Sequence, residues 1–288
     1  MTADQRVAVV GAGTMGHGIA YVALAAGYRV ALVDADPATL ERGVQRIRSA
    51  FEKAIERGKS APDLRDAALT LLTLPPSLAD GVSGADVVIE AIPERLELKQ
   101  ALFEEVESLV APGALLGSNT SSLSITAIGT RLRDPSRLLG LHFFNPVPVM
   151  RLIELVRGER TSDATLERGR ALATSLGKTP IVVRDSPGFA TSRLGVVLGL
   201  EAIRTLEQGV ASAEDIDRAM ELGYNHPMGP LRLTDLVGLD VRLAIAEHLH
   251  ATLHDQTYRP PDLLRRMVAD GQLGRKSGQG FYRWESDS

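Results

Sequence analysis

The chain of 288 residues contains no cysteine, and that absence removes several kinds of chemistry at once. Without thiols there are no disulfides, no cysteine nucleophile and no zinc site built on cysteine. No apolar run approaches the ~20 residues that a bilayer-spanning helix needs, and the first residues show neither a secretory nor a transit signal. A basic excess is also missing, since the net charge is −4. We therefore expect a cytoplasmic protein whose partners include neither a membrane nor a nucleic acid.

The chain does contain a regular alternation of short apolar runs and helical segments over its first 185 residues. We expect strands at 6–10, 28–33, 85–92, 114–118, 138–143, 152–156 and 181–183, and helices at 14–26, 38–57 and 96–110. This rhythm is typical of an α/β fold with a Rossmann-type doubly wound sheet.

The alternation of strand and helix patterns ends at residues 185–188. Beyond them, only residues 280–283 have the pattern of a strand. Residues 194–206 are apolar on nearly every face, which predicts a buried central helix. Ser212 followed by Asp215 indicates another helix start. We therefore expect a doubly wound domain at 1–185 and an all-α C-terminal domain at 186–288.

A glycine-rich turn lies between the first predicted strand and the first helix. In Gly11-Ala-Gly-Thr-Met-Gly16, Gly11 makes the tight turn, Gly13 admits a pyrophosphate to the backbone and Gly16 lets the helix pack closely on the strand. Asp34 ends the second predicted strand, where a carboxylate accepts ribose hydroxyls and repels the 2′-phosphate of NADP. A purely structural glycine turn is the alternative. We interpret the first domain as an NAD-binding domain with contacts from Gly11, Gly13, Thr14, Met15, Gly16 and Asp34.

A histidine and a glutamate on neighbouring strands could supply acid–base chemistry. Oxidation of an alcohol needs a base for the hydroxyl proton, and at neutral pH that is most often histidine. His142 ends a predicted strand at the carboxyl edge, where ligands bind in open α/β sheets. Glu154 lies inside an apolar strand and needs a partner there. The spacing alone leaves open whether the two residues pair or whether each is an ordinary structural residue.

Several long motifs favour one of these interpretations over the others. They are 118–123 (SNTSSL), 142–150 (HFFNPVPVM), 185–189 (DSPGF), 226–230 (HPMGP) and 274–282 (GRKSGQGFY). In this order, and over nearly the whole chain, they resemble the L-3-hydroxyacyl-CoA dehydrogenases, and most closely the bacterial 3-hydroxybutyryl-CoA dehydrogenase branch. The resemblance implies NAD-dependent interconversion of an L-3-hydroxyacyl-CoA, with 3-hydroxybutyryl-CoA as the expected substrate, and its 3-ketoacyl-CoA. A place in fatty acid β-oxidation would follow.

The resemblance also implies roles for individual residues. His142 would be the general base, Glu154 would orient its ring, and Ser121 would hydrogen-bond the 3-oxygen of the substrate. Further NAD contacts would come from Glu94, Lys99, Asn145 and Lys276. Glu94 and Lys99 could instead be solvated helix charges, and residues 119–122 could cap a helix that begins near Leu123. No metal is expected.

The expected partners are an acyl-CoA and a second copy of the chain, which would dimerise through the helical domain. Ser192 stands where many relatives have an asparagine that positions substrate, so its shorter side chain puts substrate preference in doubt. Arg57 aligns with a lysine that contacts CoA in the family, although it could belong to a solvated helix face. Two other functions stay open: a sugar-acid dehydrogenase related to lambda-crystallin, and a non-catalytic NAD(H)-binding protein.

Overall fold

The computed structural model of the protein describes residues 5–285. The chain divides into two compact units, the first ending at Ser186 and the second beginning at Pro187. The sequence places this boundary one residue earlier. Each unit has its own cluster of buried apolar side chains, as expected of a segment that folds as a domain.

The first unit is built on an eight-stranded sheet whose strands come from short apolar runs. They are β1 (Arg6–Val10), β2 (Arg29–Val33), β3 (Leu72–Thr73), β4 (Val87–Glu90), β5 (Leu115–Ser118), β6 (Leu138–Phe143), β7 (Leu152–Arg157) and β8 (Thr179–Arg184). The spatial order is β3-β2-β1-β4-β5-β6-β7-β8, and neighbours are parallel except for β6 and β7. The chain crosses from β3 to the far side of β1, so the predicted doubly wound fold is confirmed.

Helices flank this sheet and make up most of the second unit. In the first unit they are α1 (Gly16–Ala25), α2 (Pro37–Glu56), α3 (Pro62–Thr70), α4 (Leu78–Val82), α5 (Leu96–Leu109), α6 (Ile125–Ile128) and α7 (Asp163–Ser175). In the second unit they are α8 (Thr191–Glu207), α9 (Ala213–Gly223), α10 (Pro230–Val237), α11 (Leu239–Leu253) and α12 (Asp262–Ala269). Ser212 caps α9 by accepting from Asp215 N, as predicted.

The strand register collects polar side chains at the carboxyl edge of the sheet. Glu90, the last residue of β4, pairs with Ser118, the last residue of β5, and Ser118 pairs with Gly140 in β6. His142 lies two residues beyond Gly140, and it stands directly opposite Glu154 of the antiparallel β7. The edge that should hold ligands in an open α/β sheet therefore carries both members of the predicted acid–base pair.

Several predicted bounds in the first unit need correction. The helix expected from residue 14 begins at Gly16, because Met15 is its N-cap residue. The strand expected at 85–92 is shorter (β4), and the strand expected at 181–183 is longer (β8) because it pairs with β7 along its full length. The sequence pattern did not indicate α3, β3 or α4, which are short elements at one end of the sheet.

Two predictions for the second unit are wrong. Residues 280–283 do not form a strand, and within the described chain they make only an isolated bridge between Gln279 and Arg283. The N–H groups of Phe281 and Tyr282 donate to the Asp235 carboxylate instead of a neighbouring strand. The helix at 194–206 forms as part of α8, but it is not buried all round, because Leu194 is 73% exposed.

Candidate active site

The glycine-rich turn joins β1 to α1 with a geometry that excludes side chains at two of its glycines. Gly11 has φ +101°, and a Cβ on Gly16 would lie 1.7 Å from the Gly11 carbonyl oxygen. A Cβ on Gly13 would meet nothing within 4 Å. Gly11 and Gly16 are therefore required by the turn itself, whereas at Gly13 the backbone borders open space.

Asp34 lies beside this turn and is held by it. Its Oδ2 accepts from Ala12 N at 2.7 Å and its Oδ1 from Asp36 N at 2.9 Å. Each carboxylate oxygen has a second lone pair that can accept a ribose hydroxyl. Within the described residues, no side chain caps the N-terminus of α1, so its backbone N–H groups and positive dipole suit a phosphate. The open backbone at Gly13, the uncapped helix and the adjacent carboxylate together fit NAD.

His142 and Glu154 form a close pair in the interior of the protein. His142 Nδ1 lies 2.7 Å from Glu154 Oε2. Glu154 is fully buried and His142 is 7% exposed. The Phe144 ring packs against the imidazole with its centroid 4.4 Å away. A buried carboxylate bound to Nδ1 fixes the orientation of the ring and stabilises the imidazolium form.

Residues 119–122, which we call the serine loop, follow β5 at the same edge. Asn119 Oδ1 accepts from Phe143 N at 3.0 Å, which ties the start of the loop to the residue after His142. Glu94 Oε1 accepts from Thr120 Oγ1 at 2.6 Å, from Ser121 N at 3.0 Å and from Ser122 N at 3.2 Å. The loop does not cap the next helix as expected, because Ser124 is the N-cap residue of α6.

Glu94 is connected to a buried ion pair that the sequence did not indicate. Lys99 Nζ lies 2.5 Å from Glu90 Oε1 and 3.2 Å from Glu94 Oε2, and it also donates to Ile92 O at 3.4 Å. Lys99 is 1% exposed and Glu90 is fully buried, with its Oε2 accepting from Ser118 Oγ. The alternative that Lys99 is a solvated helix charge is therefore wrong.

The pKa values of the two carboxyl groups of this cluster are shifted in opposite directions. Burial raises the pKa of Glu90, and the Lys99 charge offsets this only in part. Burial also opposes ionisation of Glu94, but the Lys99 charge and the hydrogen bonds from Thr120 and Ser121 outweigh it and lower its pKa. Glu94 is thus the firmly ionised acceptor for the serine loop.

Glu90 could have been found from the sequence. It stands in an apolar strand, as Glu154 does, and a carboxylate in such a strand needs a partner.

The remaining predicted residues lie outside the His142–Glu154 pair and outside the cluster of Glu90, Glu94 and Lys99. Asn145 is exposed in the loop after β6, which Lys178 holds through Val147 O at 2.5 Å and Met150 O at 2.8 Å. Thr14 is exposed in the glycine-rich turn, and Arg57 is exposed at the end of α2.

Two predicted residues belong to the second unit. Ser192 lies in the first turn of α8. Lys276 pairs with Asp240 at 2.6 Å, and its hydrogen bond lowers the pKa of Asp240.

The fold and the glycine-rich turn define a dinucleotide-binding dehydrogenase, and comparison with known proteins gives the family. A family model described as the NAD binding domain of 3-hydroxyacyl-CoA dehydrogenase matches residues 6–186. A second, described as the C-terminal domain of 3-hydroxyacyl-CoA dehydrogenase, matches residues 188–284. The chain belongs to the 3-hydroxyacyl-CoA dehydrogenase family and is an NAD-dependent oxidoreductase.

Individual relatives agree over nearly the full length. A 3-hydroxybutyryl-CoA dehydrogenase of Mycobacterium tuberculosis is 46% identical over 284 residues, covering 98% of this chain and 99% of the relative. A probable 3-hydroxybutyryl-CoA dehydrogenase of Bacillus subtilis is 43% identical over 281 residues, covering 98% of both chains. The crystal structure of (S)-3-hydroxybutyryl-CoA dehydrogenase from Ralstonia eutropha is 42% identical, with TM-score 0.94 and coverage of 98% of this chain and 100% of that chain. Among residues 5–285, no helix combines the length and apolar character that crossing a membrane requires.

Proposed function

We propose that this protein interconverts L-3-hydroxybutyryl-CoA and acetoacetyl-CoA with NAD as the redox partner. The observation that carries the proposal is the buried pair of His142 and Glu154, 2.7 Å apart at the carboxyl edge of the sheet. The glycine-rich turn follows β1 at the same edge, because Val10, the last residue of β1, pairs with Glu90. An acid–base pair and a dinucleotide site at one edge suit removal of a proton and a hydride from one alcohol.

The proton of the substrate hydroxyl is transferred to a side chain of the protein. His142 Nε2, the ring nitrogen opposite the one bound to Glu154, takes the proton of the 3-hydroxyl group. The Glu154 carboxylate stabilises the imidazolium that forms, so proton transfer does not leave a buried unpaired charge. NAD, when bound, supplies the acceptor for the hydride that leaves C3. In the reverse direction the imidazolium returns the proton to the 3-oxygen.

Ser121 is the proposed hydrogen-bond donor to that oxygen. Its Oγ lies 3.4 Å from Glu94 Oε1, a long hydrogen bond that can be exchanged for one to a substrate. Its backbone N–H is held by the same carboxylate at 3.0 Å, so the loop stays in place while the hydroxyl rotates. Ser121 therefore donates to the 3-oxygen as the carbonyl forms, and this interaction orients the substrate.

The parts of NAD and of the acyl-CoA away from the reacting atoms would contact residues other than His142 and Glu154. Asp34 would hold the adenosine ribose of NAD, and Asn145 would contact its nicotinamide side. Glu94 and Lys276 would be further NAD contacts. Arg57 would bind a phosphate of CoA, and Ser192 would contact the acyl group. These assignments rest on the family resemblance together with the exposure of Asn145 and Arg57.

We also propose a homodimer that forms through the second unit. Large apolar side chains of this unit remain exposed: Leu194 (73%), Val210 (69%), Leu222 (80%) and Tyr224 (75%). Leu194 projects from α8, whose opposite stripe fills the core of the same unit. Exposed apolar side chains that gather in one patch are typical of a protein–protein contact.

The activity test is reduction of acetoacetyl-CoA by NADH, followed at the nicotinamide absorbance. We expect turnover with acetoacetyl-CoA, oxidation of the L but not the D isomer of 3-hydroxybutyryl-CoA, and no oxidation of a sugar acid by NAD⁺. Absence of turnover with acetoacetyl-CoA would refute the proposal. Turnover of the sugar acid instead would assign the protein to the other dehydrogenase class.

A further inference from the structure

The buried Glu90–Lys99 pair lies beneath the serine loop and has no part in the proton transfer described above. Helix α5 turns Lys99 inward together with Phe103 and Val106, so the lysine is part of the inner face of the helix. Its ammonium has three acceptors from the chain itself: Glu90 Oε1 at 2.5 Å, Glu94 Oε2 at 3.2 Å and Ile92 O at 3.4 Å. An ammonium group has three hydrogens. The protein thus supplies an acceptor for every one of them.

Lys99 connects two carboxylates that differ in surroundings. Glu90 is fully buried and accepts hydrogen bonds from Ile92 N at 2.8 Å and from Ser118 Oγ at 2.6 Å. The Glu94 side chain is 37% exposed and faces the serine loop. Lys99 therefore joins a fixed point at the end of β4 to the carboxylate that organises the loop.

The serine loop is held at both of its ends. Asn119 is bound to Phe143 N, beside His142, and Ser121 and Ser122 are bound through their backbone N–H groups to Glu94. Without Lys99, Glu94 would lose its neighbouring positive charge, and the loop would lose the fixed position of its acceptor. Placement of Ser121 relative to His142 thus depends on a buried ion pair that neither residue contacts directly.

We propose that Glu90 and Lys99 are positioning residues that set the serine loop through Glu94. Because the loop carries Ser121, the consequence for turnover rests on the proposed dehydrogenase activity. The consequence for loop structure does not. The two parts can therefore be tested separately.

The structural part is tested by hydrogen exchange in the protein without substrate. Lys99→Met and Glu90→Gln should each speed exchange of the Ser121 and Ser122 amides, because both amides donate to Glu94. If neither amide changes in either variant, the proposal is wrong. Since Lys99→Met leaves Glu90 buried without a counter-charge, the double variant E90Q/K99M removes both charges and keeps the test valid if the single variant does not fold.

The functional part separates positioning from cofactor binding. In both single variants kcat with acetoacetyl-CoA should fall roughly 10- to 100-fold, the effect of a small displacement of a substrate-orienting group. The assay uses saturating NADH, because Glu94 is itself a proposed contact of NAD and its displacement would also weaken NADH binding. The double variant should lose no more than the single variants, because the residues act as one unit. An unchanged kcat at saturating NADH in Glu90→Gln, which removes no proposed cofactor contact, would overturn the proposal.

Glu107→Gln provides a matched control. Glu107 is also a buried carboxylate on α5, and it accepts from Arg133 N at 2.8 Å and Asp134 N at 2.9 Å in a different loop. Its replacement should speed exchange at Arg133 and Asp134 while kcat and exchange at Ser121 stay unchanged. If the wild type itself does not reduce acetoacetyl-CoA, the proposed function fails, whereas the exchange experiment still decides the positioning role.

Discussion

His142 and Glu154 stand opposite each other across the antiparallel pair β6 and β7, with Nδ1 and Oε2 2.7 Å apart. The backbone register alone makes them neighbours, because residues directly opposite on one face of an antiparallel pair bring their side chains together. The proposed acid–base pair is therefore part of the sheet and not of a flexible loop. A site on regular elements holds its geometry more closely than one on loops.

His142→Gln should lower kcat for acetoacetyl-CoA reduction by roughly 10²- to 10⁴-fold, since the variant lacks a group that transfers the proton. NADH binding, measured by fluorescence titration, should persist, because the glycine-rich turn is untouched. Glu154→Gln should cost less, since an amide can still accept a hydrogen bond from Nδ1 but cannot stabilise the imidazolium. Near-wild-type turnover of the His142 variant would exclude it as the base.

The glycine-rich turn allows stability and cofactor binding to be separated at two nearby positions. Gly16→Ala should destabilise the protein by about 1–3 kcal/mol or more, because its Cβ would meet the Gly11 carbonyl oxygen at 1.7 Å. Gly13→Ala should leave the melting temperature unchanged, because its Cβ meets nothing within 4 Å. It should nevertheless weaken NADH binding, because that Cβ would enter the space where the pyrophosphate approaches the backbone. Unchanged NADH affinity in Gly13→Ala would argue against the assigned position of the cofactor.

The parts of the site that the sequence predicts are those with local signals. The glycine spacing, the acid at the end of β2 and a histidine at a strand end each depend on a short stretch of chain. Glu154 was predicted because a carboxylate inside an apolar strand needs a partner. The same argument applies to Glu90, whose partner Lys99 lies only one helix turn beyond the next loop.

The hydrogen bonds of the serine loop could not be predicted in this way. Residues 119–122 have the composition of a helix cap, but Glu94, 26 residues from Thr120, takes their donors instead. The acceptor that these donors find depends on the pairing of β4 with β5. That pairing is a tertiary contact, which the local sequence does not specify. Similarly, residues 280–283 have the composition of a strand, yet the buried Asp235 carboxylate takes their N–H groups.

Ser192→Asn tests the position at which the family resemblance leads us to expect an asparagine. We expect the longer amide side chain to reach substrate directly, whereas the shorter Ser192 side chain would contact it through a bridging water. One added hydrogen bond corresponds to a rise in kcat/KM for acetoacetyl-CoA of about 2- to 10-fold. The KM for NADH should not change, since the predicted contact is with substrate. A fall in kcat/KM would indicate that the pocket of this enzyme is fitted to serine and to a different acyl group.

Leu194→Asp tests the proposed homodimer. A charge on the exposed face of α8 should abolish association, because it would be buried in an apolar contact without a partner. The molar mass measured by light scattering during size-exclusion chromatography should fall from the dimer to the monomer value. Leu64→Asp is the matched control, because Leu64 is 60% exposed in the first unit. An unchanged mass for Leu194→Asp, or an equal effect of Leu64→Asp, would contradict a dimer formed through α8.

Glu107 should make the stability of the first unit depend on pH. Its side chain is 4% exposed and lies 3.4 Å from an Arg137 nitrogen. Burial opposes its ionisation, but the hydrogen bonds from the backbone N–H groups of Arg133 and Asp134 and from the side chains of Arg137 and Arg133 outweigh burial and lower its pKa below the ordinary 4.5. A carboxyl whose pKa is lower in the folded state stabilises the protein above the unfolded-state pKa, and this contribution is lost as pH falls through the folded-state value.

Glu107→Gln should therefore lower the free energy of unfolding at neutral pH, as measured by urea denaturation. Below pH 4.5 the difference from the wild type should shrink, because the wild-type carboxyl is then being protonated. Glu105→Gln, an exposed neighbour on α5, should show neither effect. If the difference between Glu107→Gln and the wild type stays constant on acidification, the stabilisation comes from the shape and packing of the side chain, and its charge contributes nothing.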